Sequence, residues 1–361
     1  MRKYLMKKDM NLQKGFVLFS VFVCLFLCAC NSTKNQIDEK CRSGVVLILH
    51  RDYYVLTLPN GMAFYFSGDG DGNITNVSLE KEDCVKTSTG TGFFISNDGM
   101  IATNKHVASR MVSDKNIKRL TKQILNLVIV QSEEENKTAA QMQQQIAYQF
   151  NNSVDITEKA ALKKRYDELE NEIEERNDLI KELGRADTEG AEISYESDLK
   201  VAYNGTFVNS YDDFYPCSLR DTSSYDLAII QLNTKETPKD RYVFTVSQKN
   251  MLEHYSFGEY LMRILGSDKN ERLFMVGFNY GIGIAQTGEG IYSQCTEGSI
   301  SREEKNRILY SIATLPGSSG SPVLNRRGQI VAVNYAGVRE GQNFNYGVRS
   351  KHLYELIHKD Q

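Results

Sequence analysis

A histidine, an aspartate and a serine stand in three short segments whose composition suits nucleophilic catalysis. His106 ends a strand-like run, Asp226 precedes another, and Ser319 lies in a glycine-rich turn. A free serine hydroxyl is a poor nucleophile at neutral pH. Imidazole can take its proton when a carboxylate holds the ring in the right tautomer. Each segment alone is weak evidence, but in the order His, Asp, Ser they predict attack of Ser319 on a carbonyl group, with His106 as the base and Asp226 as its partner.

Short strands and turns would position the first two groups. Residues 90–107 read as a β-hairpin turned at Asn-Asp-Gly 97–99, with the histidine at the strand end. Asp226 stands directly before the apolar run 227–230, which is typical of a buried strand.

The serine lies in a Gly-Ser-Ser-Gly-Ser turn, where backbone N–H groups can converge. Ser318 and Ser321 are rival nucleophiles. The Gly-Xaa-Ser-Gly frame selects Ser319.

Most of the chain has the sequence pattern of an all-β protein, with many short apolar runs separated by glycine-rich turns. This pattern predicts barrels or a sandwich. A closing helix is expected from Ser350 to His358. The predicted strand segments lie at 45–49, 53–66 (with a hairpin turn at 59–61), 201–203, 227–232, 273–276, 308–313, 330–333 and 344–348.

The three segments resemble those of trypsin-like (chymotrypsin-fold) serine peptidases, and most closely those of the bacterial HtrA-like branch. The resemblance covers about 43–110 and 200–358. It implies two six-stranded antiparallel β-barrels, an all-β fold, followed by a C-terminal helix. The block 112–184 lies outside the resemblance, and its own pattern predicts an inserted α-helical hairpin. The matching segments are TNKHVA at 103–108, YDLAIIQL at 225–232, VGFNYG at 276–281, GSSGSPV at 317–323 and NYGVRSKHL at 345–353.

The predicted domain organisation combines this resemblance, which gives the two barrels, with the composition of the remaining segments. The predicted parts are a signal peptide (1–29), a tether (30–42), a first barrel (43–111 with 190–245), a helical insertion (112–189), and a second barrel with the closing helix (246–361).

The resemblance also implies a reaction. The chain is expected to hydrolyse peptide bonds of proteins or peptides as a serine endopeptidase, through an acyl-enzyme and without a cofactor or metal. The N–H groups of Gly317 and Ser319 would stabilise the oxyanion. The alternative is a non-catalytic binding or scaffold protein that keeps the fold and uses the helical insertion to hold a partner.

Substrate preference is inferred from the position six residues before the nucleophile, which is Ala313. Asn334, Tyr335 and Ala336 would form the pocket wall. Because no acid is placed to meet Arg or Lys, a small or medium apolar side chain is expected. Glutamyl endopeptidases share the Ser-Pro version of the turn but carry a histidine where this chain has Asn334, which weakens a preference for glutamate.

Two departures from the related families matter. HtrA proteins carry PDZ domains after the catalytic domain, and none is expected here, because the sequence ends soon after the closing helix. Animal trypsins bury a new N-terminus beside an aspartate that precedes the nucleophile. Ser318 occupies that position here, so activation of that kind is not expected.

Residues 112–184 have a different composition, without glycine or proline from Met111 to Leu183 and dense in Gln, Glu and Lys. Apolar residues fall at alternating spacings of four and three, with Arg176 at the one step that lacks an apolar residue, which predicts a heptad seam of a coiled coil. Asp155 would cap one helix and Gly184 end it. A self-contained antiparallel hairpin and an arm for docking or self-association both remain open. The seam consists of Leu162, Tyr166, Leu169, Ile173, Ile180 and Leu183.

The N-terminus has the pattern of a secretory signal peptide. A basic lead precedes the apolar run 16–27, and Leu-Cys-Ala-Cys then ends at Cys30, which resembles a bacterial lipobox. Cys30 would carry acyl chains as the mature N-terminus. The protein would then be anchored outside the cytoplasm in the cell envelope, at the outer membrane or the periplasmic face. The alternative is an uncleaved anchor or an ordinary signal peptide with a chance cysteine.

Charge and cysteine content narrow the remaining classes. The 43 basic and 46 acidic residues give a net charge of −3. Removing 1–29 takes away five basic groups and one acidic group, which leaves 38 and 45, a net of −7. A nucleic-acid partner is therefore not expected.

The four remaining cysteines lack the spacing of a zinc site, and two disulfides or four free thiols are equally open; they are Cys41, Cys84, Cys217 and Cys295.

Overall fold

The computed structural model describes residues 32–69, 73–109, 117–253, 272–337 and 345–359, with the side chains of 336 and 337 left aside. The predicted signal peptide and Cys30 lie outside these residues. Two closed six-stranded antiparallel barrels account for most of the strands, as predicted from the resemblance. Both barrels are built from short runs of apolar residues whose side chains turn inward.

The first barrel has the strand order β1-β4-β5-β8-β7-β6, and a pairing between β1 and β6 closes it. Strand β8 is buried at all six positions, as the apolar run 227–230 at its start predicts. The strands are β1 (Val45–Thr57), β4 (Lys86–Phe94), β5 (Met100–Asn104), β6 (Glu192–Tyr203), β7 (Tyr215–Thr222) and β8 (Leu227–Leu232).

The second barrel closes in the order β12-β13-β16-β15-β14-β9. Its interior includes Tyr310, Val323 and Ala332, each fully buried. The strands are β9 (Arg272–Gly277), β12 (Gln294–Glu303), β13 (Arg307–Tyr310), β14 (Pro322–Leu324), β15 (Ile330–Gly337) and β16 (Asn345–Arg349).

The remaining elements are short, apart from two long helices. They are β2 (Ala63–Gly68), β3 (Ile74–Ser78), β10 (Gln286–Thr287), β11 (Gly290–Ile291), α1 (Lys34–Cys41), α2 (Lys81–Cys84), α3 (Lys105–Ala108), α4 (Ile117–Asn152), α5 (Ile156–Leu183), α6 (Ile282–Ala285) and α7 (Ser350–Ile357). None of the described helices is both long and apolar enough to cross a membrane.

The chain divides into two compact units. The first comprises the described parts of Met1–His50, Thr87–Arg110 and Asp198–Gln361, and it contains the three candidate catalytic residues. The second comprises the described parts of Arg51–Lys86 and Met111–Ser197.

In the second unit, the end of β1 pairs with β2 across the predicted turn, where Leu58 N–H donates to Met62 O at 2.8 Å. Helices α4 and α5 form the predicted helical insertion. Asp155 caps α5, since its carboxylate accepts from the Thr157 and Glu158 N–H groups. Gly184 follows its last turn.

Contacts between the two long helices run in an antiparallel register. Gln143 Nε2 donates to Tyr166 O at 3.3 Å, whereas Asn136 Nδ2, nearer the start of α4, meets Asn177 Oδ1 at 3.0 Å. The predicted seam residues are all buried or half-buried. Helical spacing thus places one apolar stripe of α5 against its surroundings and leaves its charged face in solvent.

Part of the predicted tether is helical. Residues 34–41 of the predicted tether form helix α1, which is capped by Thr33. Ile37 and Cys41 stand four residues apart, so they share one helix face, and both are fully buried. This pair was too small an apolar signal to outweigh the polar residues around it.

Candidate active site

His106 is delivered by the predicted hairpin. Strands β4 and β5 pair across the turn at 97–99, where Ile95 N–H donates to Met100 O at 2.9 Å. Helix α3 begins directly after β5, and its buried Val107 packs beside Gly90, where a Cβ atom would lie 2.4 Å from a Val107 methyl. The His106 side chain remains 48% exposed, so its ring is open to a reactant.

Asp226 lies in the turn before β8 and faces His106. Its Oδ2 is 2.7 Å from His106 Nδ1, and its Oδ1 accepts from the His106 backbone N–H at 3.0 Å. A carboxylate only accepts hydrogen bonds, so Nδ1 of His106 carries a proton, and Nε2 is the ring nitrogen that can act as a base when the imidazole is neutral. The structure therefore brings these two predicted residues together in the orientation that the chemistry needs.

The backbone of Asp226 is held in an uncommon conformation, with φ at 59°. An aspartate tolerates this left-handed region better than most residues, at some cost. Two hydrogen bonds offset that cost: the Asp226 carbonyl accepts from Lys105 N–H at 3.1 Å and from Asn104 Nδ2 at 3.0 Å. The histidine and aspartate segments are thus locked to each other by backbone as well as side chain.

Ser319 lies in the turn between β13 and β14, where two glycines make the backbone path possible. Gly317 and Gly320 have φ values of 91° and 88°, a region that only glycine adopts without strain. A Cβ atom on Gly320 would lie 2.1 Å from Thr91 O. Close approach of β4 to this turn therefore requires glycine as well.

The two other serines of the turn, Ser318 and Ser321, are buried. Ser318 is 2% exposed, and its Oγ donates to Leu315 O at 2.7 Å. Ser321 is fully buried. Ser319 is half-buried, so it is the serine of this turn with an accessible side chain.

Thr91 of β4 holds the turn from the first barrel. Its N–H donates to Ser319 O and its hydroxyl to Gly317 O, both at 2.8 Å. The Thr91 hydroxyl oxygen, Oγ1, also accepts from the Phe278 N–H at 3.0 Å. Sequence reasoning missed this residue. The only signal was a small polar residue between two glycines in the strand before the histidine.

Two N–H groups of the turn are free to bind an oxyanion. Within the described parts of the chain, neither the Gly317 N–H nor the Ser319 N–H donates to a protein acceptor. The carbonyl oxygen of Pro316, the residue before Gly317, accepts a hydrogen bond from the Tyr280 N–H. An oxyanion hole needs donors of this kind that are already in place before the reaction.

The predicted pocket residues occupy different environments. Ala313 is exposed, and Tyr335 is half-buried, with its hydroxyl 3.5 Å from Arg307 Nη1. Ala336 pairs through its backbone with Tyr346, and its side chain is outside the described residues. Their role in substrate binding stays a prediction.

Asn334, the fourth predicted pocket residue, is 1% exposed. Its amide nitrogen donates to Ser318 O at 3.0 Å, and its amide oxygen accepts from the Tyr310 hydroxyl at 2.7 Å. A contact with substrate stays a prediction for this residue too, and the structure gives its amide group other partners.

The four cysteines that follow the predicted signal peptide are buried free thiols. Burial raises the pKa of Cys41 and of Cys84 to about 11. Burial likewise raises the pKa of Cys217 and of Cys295 to about 12. Thiols held in the neutral form are poor nucleophiles.

Part of the sequence matches a known protein family. Residues 186–333 match the trypsin-like peptidase domain. The match spans less than half of the chain, includes Asp226 and Ser319, and begins after His106. The trypsin-like resemblance predicted from the three motifs is confirmed at this level.

Two solved structures show partial similarity to this chain. The serine endoprotease from Yersinia pestis has a TM-score of 0.42 and 12% identity, over 91% of this chain and 66% of that chain. The HtrA-type protease AlgW, solved with a decapeptide, has the same TM-score, identity and coverage of this chain, and 67% of its own length is covered. The chain thus spans about two thirds of the length of these proteins. No curated protein matches the sequence.

Proposed function

We propose that this chain is a serine endopeptidase that uses Ser319, His106 and Asp226 as a catalytic triad. The observation that carries the proposal is the pairing of His106 with Asp226 at 2.7 Å in the same compact unit as the Ser319 turn. The match of 186–333 to the trypsin-like peptidase domain supports it.

The reaction begins when Ser319 Oγ attacks the carbonyl carbon of a peptide bond and its proton passes to His106 Nε2. Asp226 stabilises the imidazolium that forms, without taking its proton. The Gly317 and Ser319 N–H groups bind the oxygen that becomes negative. Removal of one such donor costs roughly 10²–10³ in rate in enzymes of this type.

The tetrahedral intermediate then breaks its carbon–nitrogen bond, and His106 gives the proton to the leaving amine. The acyl group remains on Ser319 as an ester. Water attacks this ester with His106 again as base, which releases the carboxylic acid and restores the serine. No cofactor takes part in these steps.

The substrate is a protein or peptide with a small or medium apolar side chain before the cleaved bond. Ala313 contributes only a methyl group to the proposed pocket base. Profiling of cleavage sites in a mixed peptide library tests this preference; consistent cleavage after Arg, Lys or Glu would exclude it.

We also propose that the protein is held at the cell envelope by acyl chains on Cys30. The motif that carries this proposal is the Leu-Cys-Ala-Cys sequence after the apolar run. Intact-mass measurement of the mature protein should find acyl mass on Cys30, and a Cys30→Ser variant should leave the membrane fraction. Cleavage at another site with Cys30 unmodified would refute the anchor.

Labelling with a fluorophosphonate probe tests the triad. The unmodified chain should form a covalent adduct on Ser319, and Ser319→Ala should abolish both the adduct and peptide hydrolysis. Ser321→Ala is the matched control, because Ser321 lies two residues along the same turn and its Oγ has no hydrogen-bond partner in the described residues. Failure of the unmodified chain to react at Ser319 would favour the alternative of a non-catalytic binding or scaffold protein.

A further inference from the structure

The nitrogen and the oxygen of the Asn334 amide group are both hydrogen-bonded inside the second barrel. Its nitrogen donates to two atoms of Ser318, the carbonyl oxygen at 3.0 Å and Oγ at 3.2 Å. Its oxygen accepts from Tyr310, whose hydroxyl is 2.7 Å away. Both side chains are almost completely shielded from solvent, with Asn334 1% and Tyr310 0% exposed.

The chemistry of the partners fixes which way this amide faces. The Ser318 carbonyl can only accept a hydrogen bond, so it must meet the NH₂ group of Asn334. The amide oxygen then faces Tyr310, which must donate. Burial raises the pKa of Tyr310 well above its ordinary value, so the hydroxyl keeps its proton.

The backbone of Asn334 grips the same turn. Gly320 N–H donates to Asn334 O at 2.8 Å, and Asn334 N–H donates to Ser321 O at 2.9 Å. One residue of β15 is therefore bonded to the residue before Ser319 and to the two residues after it.

The bond from Asn334 to Ser318 O has a direct consequence for the nucleophile. The Ser318 carbonyl and the Ser319 N–H belong to the same planar trans peptide, so they point in opposite directions. Holding the carbonyl toward the barrel interior aims the Ser319 N–H outward, where the oxyanion would form. Rotation of this peptide would withdraw that donor.

We infer that Asn334, supported by Tyr310, is a positioning residue that fixes the Ser318–Ser319 peptide and so orients the Ser319 N–H as an oxyanion donor. This inference rests on the proposed function. Asn334 acts through Ser318 and does not touch the reacting atoms. Its polar atoms serve the turn, which assigns the residue a task other than pocket wall.

Asn334→Ala tests the inference by removing the donor. We expect kcat to fall about 10- to 100-fold with KM changed less than about threefold, because a misplaced donor weakens the transition state selectively. The affinity of a peptide boronate, which places an oxygen in the oxyanion site, should fall by a similar factor. Tyr310→Phe should give the same pattern at a smaller amplitude, about three- to tenfold in kcat, because Asn334 loses only its support.

Asn325→Ala is the matched control. Asn325 is also fully buried in the second barrel, and its amide donates to Met251 O and Gln329 Oε1, away from the nucleophile turn. This variant should lower the melting temperature and leave kcat and boronate affinity unchanged. An equal loss of kcat in both asparagine variants would show that barrel stability alone matters and would overturn the inference.

The remaining outcomes separate the inference from the proposed function. If the unmodified chain labels at Ser319 and folded Asn334→Ala keeps kcat within twofold, the inference fails and the proposed function stands. If Asn334→Ala does not fold, Tyr310→Phe decides by the same criterion. If the unmodified chain neither labels nor hydrolyses peptides, the proposed function fails and the inference fails with it.

Discussion

Asp226 accepts two hydrogen bonds from His106, one for each carboxylate oxygen. Nδ1 of the ring is 2.7 Å from Oδ2, and the backbone N–H is 3.0 Å from Oδ1. The ring and the backbone of His106 thus bind the same carboxylate, so the carboxylate cannot turn away from the ring without also losing its bond to the backbone N–H. This coupling, together with the left-handed backbone at Asp226, makes the pair a sensitive target for substitution.

Asp226→Asn should reduce kcat/KM by about 10³–10⁴-fold, the size that loss of the carboxylate has in serine peptidases. An amide that turns its NH₂ group toward Nδ1 favours the wrong tautomer and leaves Nε2 protonated. Peptide hydrolysis measures the effect, and thermal melting checks that the fold is kept. Asp221→Asn, in the strand just before this turn, should leave hydrolysis unchanged. A loss of less than tenfold in Asp226→Asn would contradict the proposed role of this residue.

Thr91→Val should weaken both stability and turnover, although valine has nearly the same shape. The variant loses the hydroxyl that donates to Gly317 O and accepts from Phe278 N–H, inside a fully buried site. Leaving such groups unpaired costs about 1–3 kcal/mol in the free energy of unfolding.

The comparison variant is Thr91→Ser, which keeps the hydroxyl and loses only a methyl group. Denaturant unfolding and kcat should both place it closer to the unmodified chain than Thr91→Val. The reverse order would mean that packing of the methyl group matters and the hydrogen bonds to the turn do not.

Gly320→Ala should abolish hydrolysis, because the added Cβ atom would lie 2.1 Å from Thr91 O and would force β4 and the nucleophile turn apart. Gly61→Ala separates this clash from backbone strain. Gly61 has nearly the same φ, 87°, and nothing lies within 4 Å of its Cβ position. It should cost only about 1–2 kcal/mol of stability, with hydrolysis retained. Equal behaviour of the two variants would show that strain, not contact with Thr91, decides the effect.

Local sequence was sufficient for the segments around the proposed triad. The predicted strand 227–232 has the same bounds as β8, and the Asn-Asp-Gly turn lies where β4 meets β5. These features depend on neighbouring residues, so periodicity and turn chemistry predict them. The resemblance supplied the closure of two barrels, which local patterns left open between barrels and a sandwich.

Long-range contacts account for what the sequence did not predict. Thr91 and the Ser319 turn are more than two hundred residues apart, and no local pattern marks their contact. Asn334 illustrates a second reason, because the pairing of β15 with β16 is shifted between Asn334 and Ala336. Such an irregularity re-aims neighbouring side chains, so simple alternation along the strand does not tell which residues line a pocket.

The pH dependence of stability should report the buried thiol of Cys217. Burial raises its pKa to about 12, above its value near 9 in the unfolded chain. The unfolded state then releases a proton that the folded state keeps, so stability is full below about pH 9 and falls as pH rises toward 12. The upper limit of this effect is about 1.4 kcal/mol per pH unit.

Comparing urea unfolding of the unmodified chain and Cys217→Ala at pH 8, 9 and 10, under reducing conditions, cancels titrations common to both. The stability advantage of the unmodified chain should shrink between pH 9 and 10, and an advantage that stays constant or grows would contradict burial of a neutral thiol.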